Sequence, residues 1–251
     1  VSSSLPGVET RAIKIESPDA PDLTIDTCYL PAGKSPDRLM IIVSGIHGVE
    51  GYTGSAVQQM LLKEIVPQTD WDHFGMLLIH GLNPYGFKFN RRVNENNVDL
   101  NRNCYMAGSS RNDNSGYRTL NSFLNKKGKL SLTRFNQFFF PFYAVQKISA
   151  GSQEVLRQAI LQGQYEFDKG VYFGGRRLEP SIEAVTPVIE SVARNYGAVF
   201  AIDLHTGYGE RGRLHLFSMA LDDNKDKERL QILFEDYTID WGDNKDFYEV
   251  N

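Results

Sequence analysis

Leu39-Met40-Ile41-Ile42-Val43, followed at once by Ser44-Gly45-Ile46-His47-Gly48-Val49-Glu50, decides the fold class of this chain. An apolar run without alternation reads as a strand covered on both faces, the mark of a central strand between two helix layers. The glycines Gly45, Gly48 and Gly51 let the backbone turn sharply where the strand ends, so His47 and Glu50 are exposed there. An imidazole and a carboxylate so placed can close on one cation. Ala198-Val199-Phe200-Ala201-Ile202-Asp203-Leu204-His205 repeats the design and delivers a second imidazole off a second apolar run. Asp203 and His205, two positions apart on a strand, share a face, and Thr206-Gly207 places His205 at a rim. Two His and one Glu are the protein ligands of an open catalytic zinc site, with water in the remaining position.

Working outward, residues 23–30 have strand character, and Pro31-Ala32-Gly33-Lys34-Ser35-Pro36-Asp37 is a turn by composition. A helix is predicted over 53–65, with Ala56, Met60 and Leu61 on its inner side. Phe74 to His80 is the next strand, closed by the turn former Asn83-Pro84. Residues 86–120 are polar and rich in Asn and Arg, which predicts a long functional loop or partial disorder. The aromatic run Phe135 to Tyr143 reads as core or lid, followed by a helix over 153–162. Ser181 is placed to cap a helix running to Asn195. Strands over 198–204 and 213–219 and a helix over 225–236 complete the pattern. Alternating strands and helices with buried strands imply a three-layer α/β fold, with the metal motifs at the C-terminal ends of strands.

No repeat or linker divides the 251 residues, so a single domain is the simplest account. A hydrophobic content of 41% and a charged content of 23% are those of an ordinary globular protein. The net charge of −4 argues against nucleic acid or an anionic membrane as partner. No apolar run approaches the roughly 20 residues of a membrane span, and the start does not resemble a signal peptide. Cys28 and Cys104 are unpatterned and read as free buried thiols, which makes a cytoplasmic location the expectation. His73, His80 and His215 fit core or surface roles.

Between the two histidine motifs lies Asn97-Val98-Asp99-Leu100-Asn101-Arg102-Asn103, a polar loop whose arginine suits a carboxylate. The order Asn83-Pro84-Tyr85-Gly86-Phe87, Arg91-Arg92, then Val98 to Asn103, with His47 and Glu50 upstream and His205 downstream, resembles zinc carboxypeptidases of the carboxypeptidase A type. These motifs span residues 47–205. Their surroundings, Ser44 to Gly51, Gly54-Ser55-Ala56 and Asp203 to Gly207, look closer to a bacterial branch. That branch shares its Asp-Leu-His stretch with succinylglutamate desuccinylase and aspartoacylase.

The resemblance implies one Zn²⁺ held by His47, Glu50 and His205, with Asp99 accepting a hydrogen bond from the far nitrogen of His47. Asn101 and Arg102 would grip the free carboxylate of a peptide or N-acyl amino acid, and Arg92, with Arg91 as its alternative, would stabilise the oxyanion. The implied architecture is a three-layer α/β sandwich whose mixed, mostly parallel sheet carries helices on both faces, one domain over 1–251. The general-base glutamate of such enzymes lies far downstream of the third ligand, past Asn251. The chain is therefore expected either to lack its C-terminal end or to have no base of the usual kind. Three readings stay open: a metallocarboxypeptidase, a deacylase of small N-acyl amino acids, and a non-catalytic zinc-binding homologue.

Overall fold

A computed structural model describes residues 7–104, 113–125, 162–207, 210–217 and 224–241. The chain divides into two compact units, one of Val1–Met106 with Gly174–Thr206, the other of Ala107–Phe173 with Gly207–Asn251. Its described strands are β1 (Glu9–Lys14), β2 (Thr24–Leu30), β3 (Arg38–Ser44), β4 (Phe74–His80), β5 (Ala198–Leu204), β6 (Leu216–Phe217) and β7 (Ile239–Asp240). Its described helices are α1 (Gly51–Met60), α2 (Pro84–Lys88), α3 (Ser115–Leu124), α4 (Pro180–Ala193) and α5 (Asn224–Leu233).

In the first unit a mixed sheet runs in the order β1-β2-β4-β3-β5. The strands that carry the histidine motifs are its parallel part: β3 pairs with both β4 and β5 in parallel. On the other side β2 pairs antiparallel with β4, and β1 antiparallel with β2. Successive residues of β4 face opposite layers. Met76 and Leu78 join Leu30, Ile42 and Val66 in a core that the α1 side covers through Leu61 and Leu62. Leu77, fully buried, lines a small cleft with Val188 and Val192 of α4. Helices thus cover both faces of a mixed sheet, the α/β architecture expected from the apolar run at residue 39.

The helix predicted over 53–65 begins two residues earlier, at Gly51, and ends in a π-helical turn over Leu61–Ile65. It approaches β3 closely at Gly54, where an added Cβ would stand 2.5 Å from the Cβ of Ser44. Gln58 then reaches from α1 into the sheet end, its amide donating to Ile42 O and Ile79 O while its Oε1 accepts from Ser44 Oγ. Helix α4 starts before its predicted cap. Pro180 occupies the first turn, Glu179 is the N-cap, and Ser181 lies inside. Proline has no amide hydrogen to satisfy and a φ already suited to that position, so it sets the start.

In the second unit, Asn114 caps α3 by accepting from Tyr117 N. The buried Tyr117 donates its hydroxyl to Val171 O. Strands β6 and β7 pair in parallel; of the strand predicted over 213–219, residues 213–215 are not strand, Leu216–Phe217 form β6, and 218–219 lie outside the described residues. Helix α5 falls within the predicted 225–236 apart from its first residue. The aromatic run Phe135 to Tyr143 and nearly all of the helix over 153–162 lie outside the described residues. Cys28 is half-buried and Cys104 exposed, not the buried pair expected. Among the described residues, no helix is long and apolar enough to cross a membrane.

Candidate metal centre

The candidate metal ligands, orienting carboxylate and substrate-binding residues all lie in the first unit, His47 and Glu50 just past β3, His205 just past β5, and Arg92, Asp99, Asn101 and Arg102 in the segment after α2. β3 ends at Gly45 and β4 at Gly81, with φ of 73° and 68°, a backbone conformation that favours glycine. The released strand ends bind one another, Leu82 N donating to Ser44 O and Asn83 N to Gly45 O. Asn83 caps the short α2 by accepting from Gly86 N and donates its side-chain amide to Arg92 O. Val49 N donates to Arg91 O, so the His47 turn and the Asn83 motif are bound through their backbones.

Of the two readings, a long functional loop or partial disorder, residues 86–104 do not bear out disorder: Asn94, Val98, Asp99, Leu100, Arg102 and Asn103 are all buried. The asparagines that suggested disorder supply the order. Asn94 Oδ1 accepts from Asn96 N and Val98 N, and Asn90 and Asn97 take the positive φ values, 53° and 60°, that asparagine tolerates. The loop is tied from a distance by Glu179, 4% exposed, whose Oε2 accepts from Asn94 Nδ2 at 2.6 Å and Asn96 Nδ2 at 2.7 Å. Nothing in the sequence around Glu179 marks this role, because its partners lie 85 and 83 residues away. Glu179→Ala strands the buried Asn94 amide and removes the acceptor of the exposed Asn96, and is expected to lower unfolding free energy by about 2 kcal/mol in a urea titration. An unchanged midpoint would refute the tie.

The loop delivers Asp99, fully buried, to His47. His47 Nε2 lies 3.1 Å from Asp99 Oδ1, while its Nδ1 lies 2.9 Å from Glu50 Oε1. His205 repeats this from the other side: Nδ1 is 3.2 Å from Glu50 Oε2, and Nε2 is 2.7 Å from Asp203 Oδ2. The imidazole rings are 4.9 Å apart, and Thr206 N donates to Glu50 Oε2. Each ring therefore lies between two carboxylates, and a cation bound on the Nδ1 side would leave the proton on Nε2. The two Nδ1 lone pairs then face the two oxygens of one carboxylate. Acceptor facing acceptor is tolerable only with a cation between, a proton or a metal.

One donor atom from each of His47, Glu50 and His205 lies within 4.8 Å of the others. In a tetrahedral zinc site with bonds of roughly 2.0–2.1 Å, neighbouring ligand atoms are about 3.3 Å apart. The two nitrogen–oxygen distances, 2.9 and 3.2 Å, are close to that edge, so the donor set fits a zinc ion. Electrostatics agree. Burial would raise the Glu50 carboxyl, but hydrogen bonds from His205 and His47 outweigh it and hold it down to about 2. Burial would lower the His205 imidazole, yet its bonds to Asp203 and Glu50 raise it to about 9. Asp99, which burial would also raise, is held below the carboxylate range by His47, Arg92 and Arg102.

Arg92 donates Nε to Asp99 Oδ2 at 2.9 Å with a side chain 37% exposed. Asn101 N donates to Asp99 Oδ1, and its side chain is partly exposed. Arg102 is 2% exposed, so in this conformation its guanidinium is enclosed rather than open to a ligand. Of the other histidines, His80 Nδ1 lies 3.0 Å from Ser44 Oγ, and His73 pairs with Asp37 at the surface.

A family model described as "Protein of unknown function (DUF2817)" matches residues 6–251. The chain belongs to that family. No curated protein matches it. Among solved structures, thrombin activatable fibrinolysis inhibitor is similar at a TM-score of 0.51 and 16% identity, over 91% of this chain and 49% of that one. Bovine thrombin-activatable fibrinolysis inhibitor, solved in complex with tick carboxypeptidase inhibitor, follows at 0.49 and 16%, over 93% and 65%. A succinylglutamate desuccinylase/aspartoacylase family protein from Shewanella amazonensis SB2B gives 0.41 and 18%, over 84% and 48%. The DUF2817 chain spans about half the length of the first of these, 49%, and its fold is carboxypeptidase-like.

Proposed function

We propose that the chain is a zinc-dependent hydrolase of amide bonds, acting as a metallocarboxypeptidase on a peptide or peptide-like substrate with a free carboxylate. The observation that carries this reading is the pair of Nδ1 atoms directed at one carboxylate, each ring braced behind by a second carboxylate. His47, Glu50 and His205 would hold one Zn²⁺, which supplies a polarised carbonyl and a bound water of lowered pKa. Asp99 keeps His47 in the ligating tautomer and is itself pinned by Arg92 and Asn101 N. Arg92, more exposed than Arg102, is suited to oppose negative charge on a reacting carbonyl oxygen. Asn101 and Arg102 are assigned to the substrate carboxylate, and Arg102 has to be uncovered for that contact.

The test combines metal analysis with a substrate panel. Wild-type protein is expected to bind one zinc per chain and to cleave peptides with free C termini, losing activity to a chelator and regaining it with zinc. No bound zinc would overturn the reading. Cleavage of C-terminally blocked peptides at an equal rate would remove the role given to Arg102, and cleavage of N-acyl amino acids in place of peptides would make the enzyme a deacylase.

A further inference from the structure

The brace behind His47 follows from the resemblance, but nothing in it assigns one to His205. We propose that Asp203 is the positioning residue for His205, holding its Nε2–H so that Nδ1 is free to take the metal. This rests on the zinc reading above. The Asp203 Oδ2 to His205 Nε2 distance is 2.7 Å, shorter than the 3.1 Å between Asp99 and His47. Both side chains leave the same end of β5, where Asp203 is in register with Val43 of the strand that leads to His47. The orienting carboxylates of both ligands therefore ride on one parallel strand pair or are tied to its end.

The two braces differ in their other partners. Asp99 is fully buried and shares its charge with Arg92 and with Asn101 N. Asp203 is 31% exposed and, among the described residues, His205 is its sole hydrogen-bond partner. Its carboxylate is hydrogen-bonded to this one ring. Without it, the tautomer with a proton on Nδ1 is the favoured one, because Glu50 Oε2 accepts that proton at 3.2 Å. That tautomer hides the lone pair a metal needs. Asp203 thus selects between a ring that binds Glu50 and a ring that binds metal.

The test uses the full chain stripped of metal, with zinc partitioned against a chromophoric chelator. Asp203→Ala is expected to weaken zinc binding about 10- to 100-fold, the usual effect of losing such a partner. Asp203→Asn, which keeps an acceptor oxygen, should weaken it less. Long-range ¹H–¹⁵N spectra should show His205 protonated on Nε2 in the metal-free wild type at alkaline pH and on Nδ1 in Asp203→Ala. A variant affinity within twofold of wild type, or an unchanged His205 tautomer, would overturn the proposal and leave the zinc reading standing. A wild type that binds no zinc would overturn the zinc reading itself. Should Asp203→Ala fail to fold, Asp203→Leu, which keeps the volume but has no acceptor, decides by the same limits.

Discussion

Glu50→Ala is expected to cost the protein about a thousandfold in zinc affinity and to leave hydrolysis at background, with the fold intact. The size follows from the ligand count. Glu50 is one of three protein ligands, and a full zinc site binds with about 10–16 kcal/mol, so one ligand's share is about 3–5 kcal/mol. It is also the group at which both Nδ1 atoms point, so its loss disperses the remaining two. Glu50→Gln keeps the volume but turns one oxygen into a donor, and should fail almost as badly. Zinc content after dialysis, with activity measured in excess zinc, reads both. Activity above about a tenth of wild type in Glu50→Ala would sink the assignment.

The same substitution has a signature in acid. In the metal-free protein the Glu50 carboxyl is held at about 2 against an ordinary 4.5. A depressed carboxyl contributes stability that is fully present above the unfolded value and lost as pH falls through the folded one. Metal-free wild type should therefore lose stability between about pH 4.5 and 2 more steeply than Glu50→Ala.

Gly48→Ala is expected to do the converse, damaging the fold first and the site through it. A Cβ at residue 48 would stand 1.9 Å from Gly86 C and 2.1 Å from Phe87 N. Both are backbone atoms of α2 and cannot rotate aside. The His47 turn must then part from α2, breaking the Val49 N to Arg91 O bond and loading the Asn83 cap beside it. Overpacking against backbone with loss of this hydrogen bond is expected to cost about 3 kcal/mol or more. Gly51→Ala gives the comparison. Its Cβ would meet the Phe87 ring at 3.1–3.2 Å, and a ring can shift by tenths of an ångström. In urea, Gly48→Ala should unfold well before Gly51→Ala, and equal midpoints would contradict the close approach. Zinc affinity should fall in Gly48→Ala as well, since His47 and Glu50 flank the displaced residue.

Gly48 also shows how far the sequence could be read. Flanking glycines around His47 and Glu50 indicated a sharp turn at a strand end, and Gly45, at a φ of 73°, makes one. That Gly48 is there for want of space against α2 depends on residues 86 and 87, which a local reading does not bring near. The Asn-rich stretch after residue 86 shows the same limit from the other side. Composition gave a loop, correctly, but asparagine is used both in loose chain and in chain whose side chains satisfy its backbone. Asn94, Asn97 and the distant Glu179 make it the second kind. Arg102 went from exposed grip to enclosed side chain for a similar reason, because burial is a property of what packs around a residue.

The sequence by itself determined the central strands, through unbroken apolar runs, and which side chains stand at their ends, through strand periodicity and glycine. It also placed Asp203 and His205 on one face, since a spacing of two fixes that wherever the strand lies. Only the tertiary structure decided which nitrogen of each ring meets which carboxylate. His47 reaches Asp99 across 52 residues and His205 reaches Glu50 across 155. Contacts that long are set by the order in which strands pair in the sheet, and no local preference encodes that order.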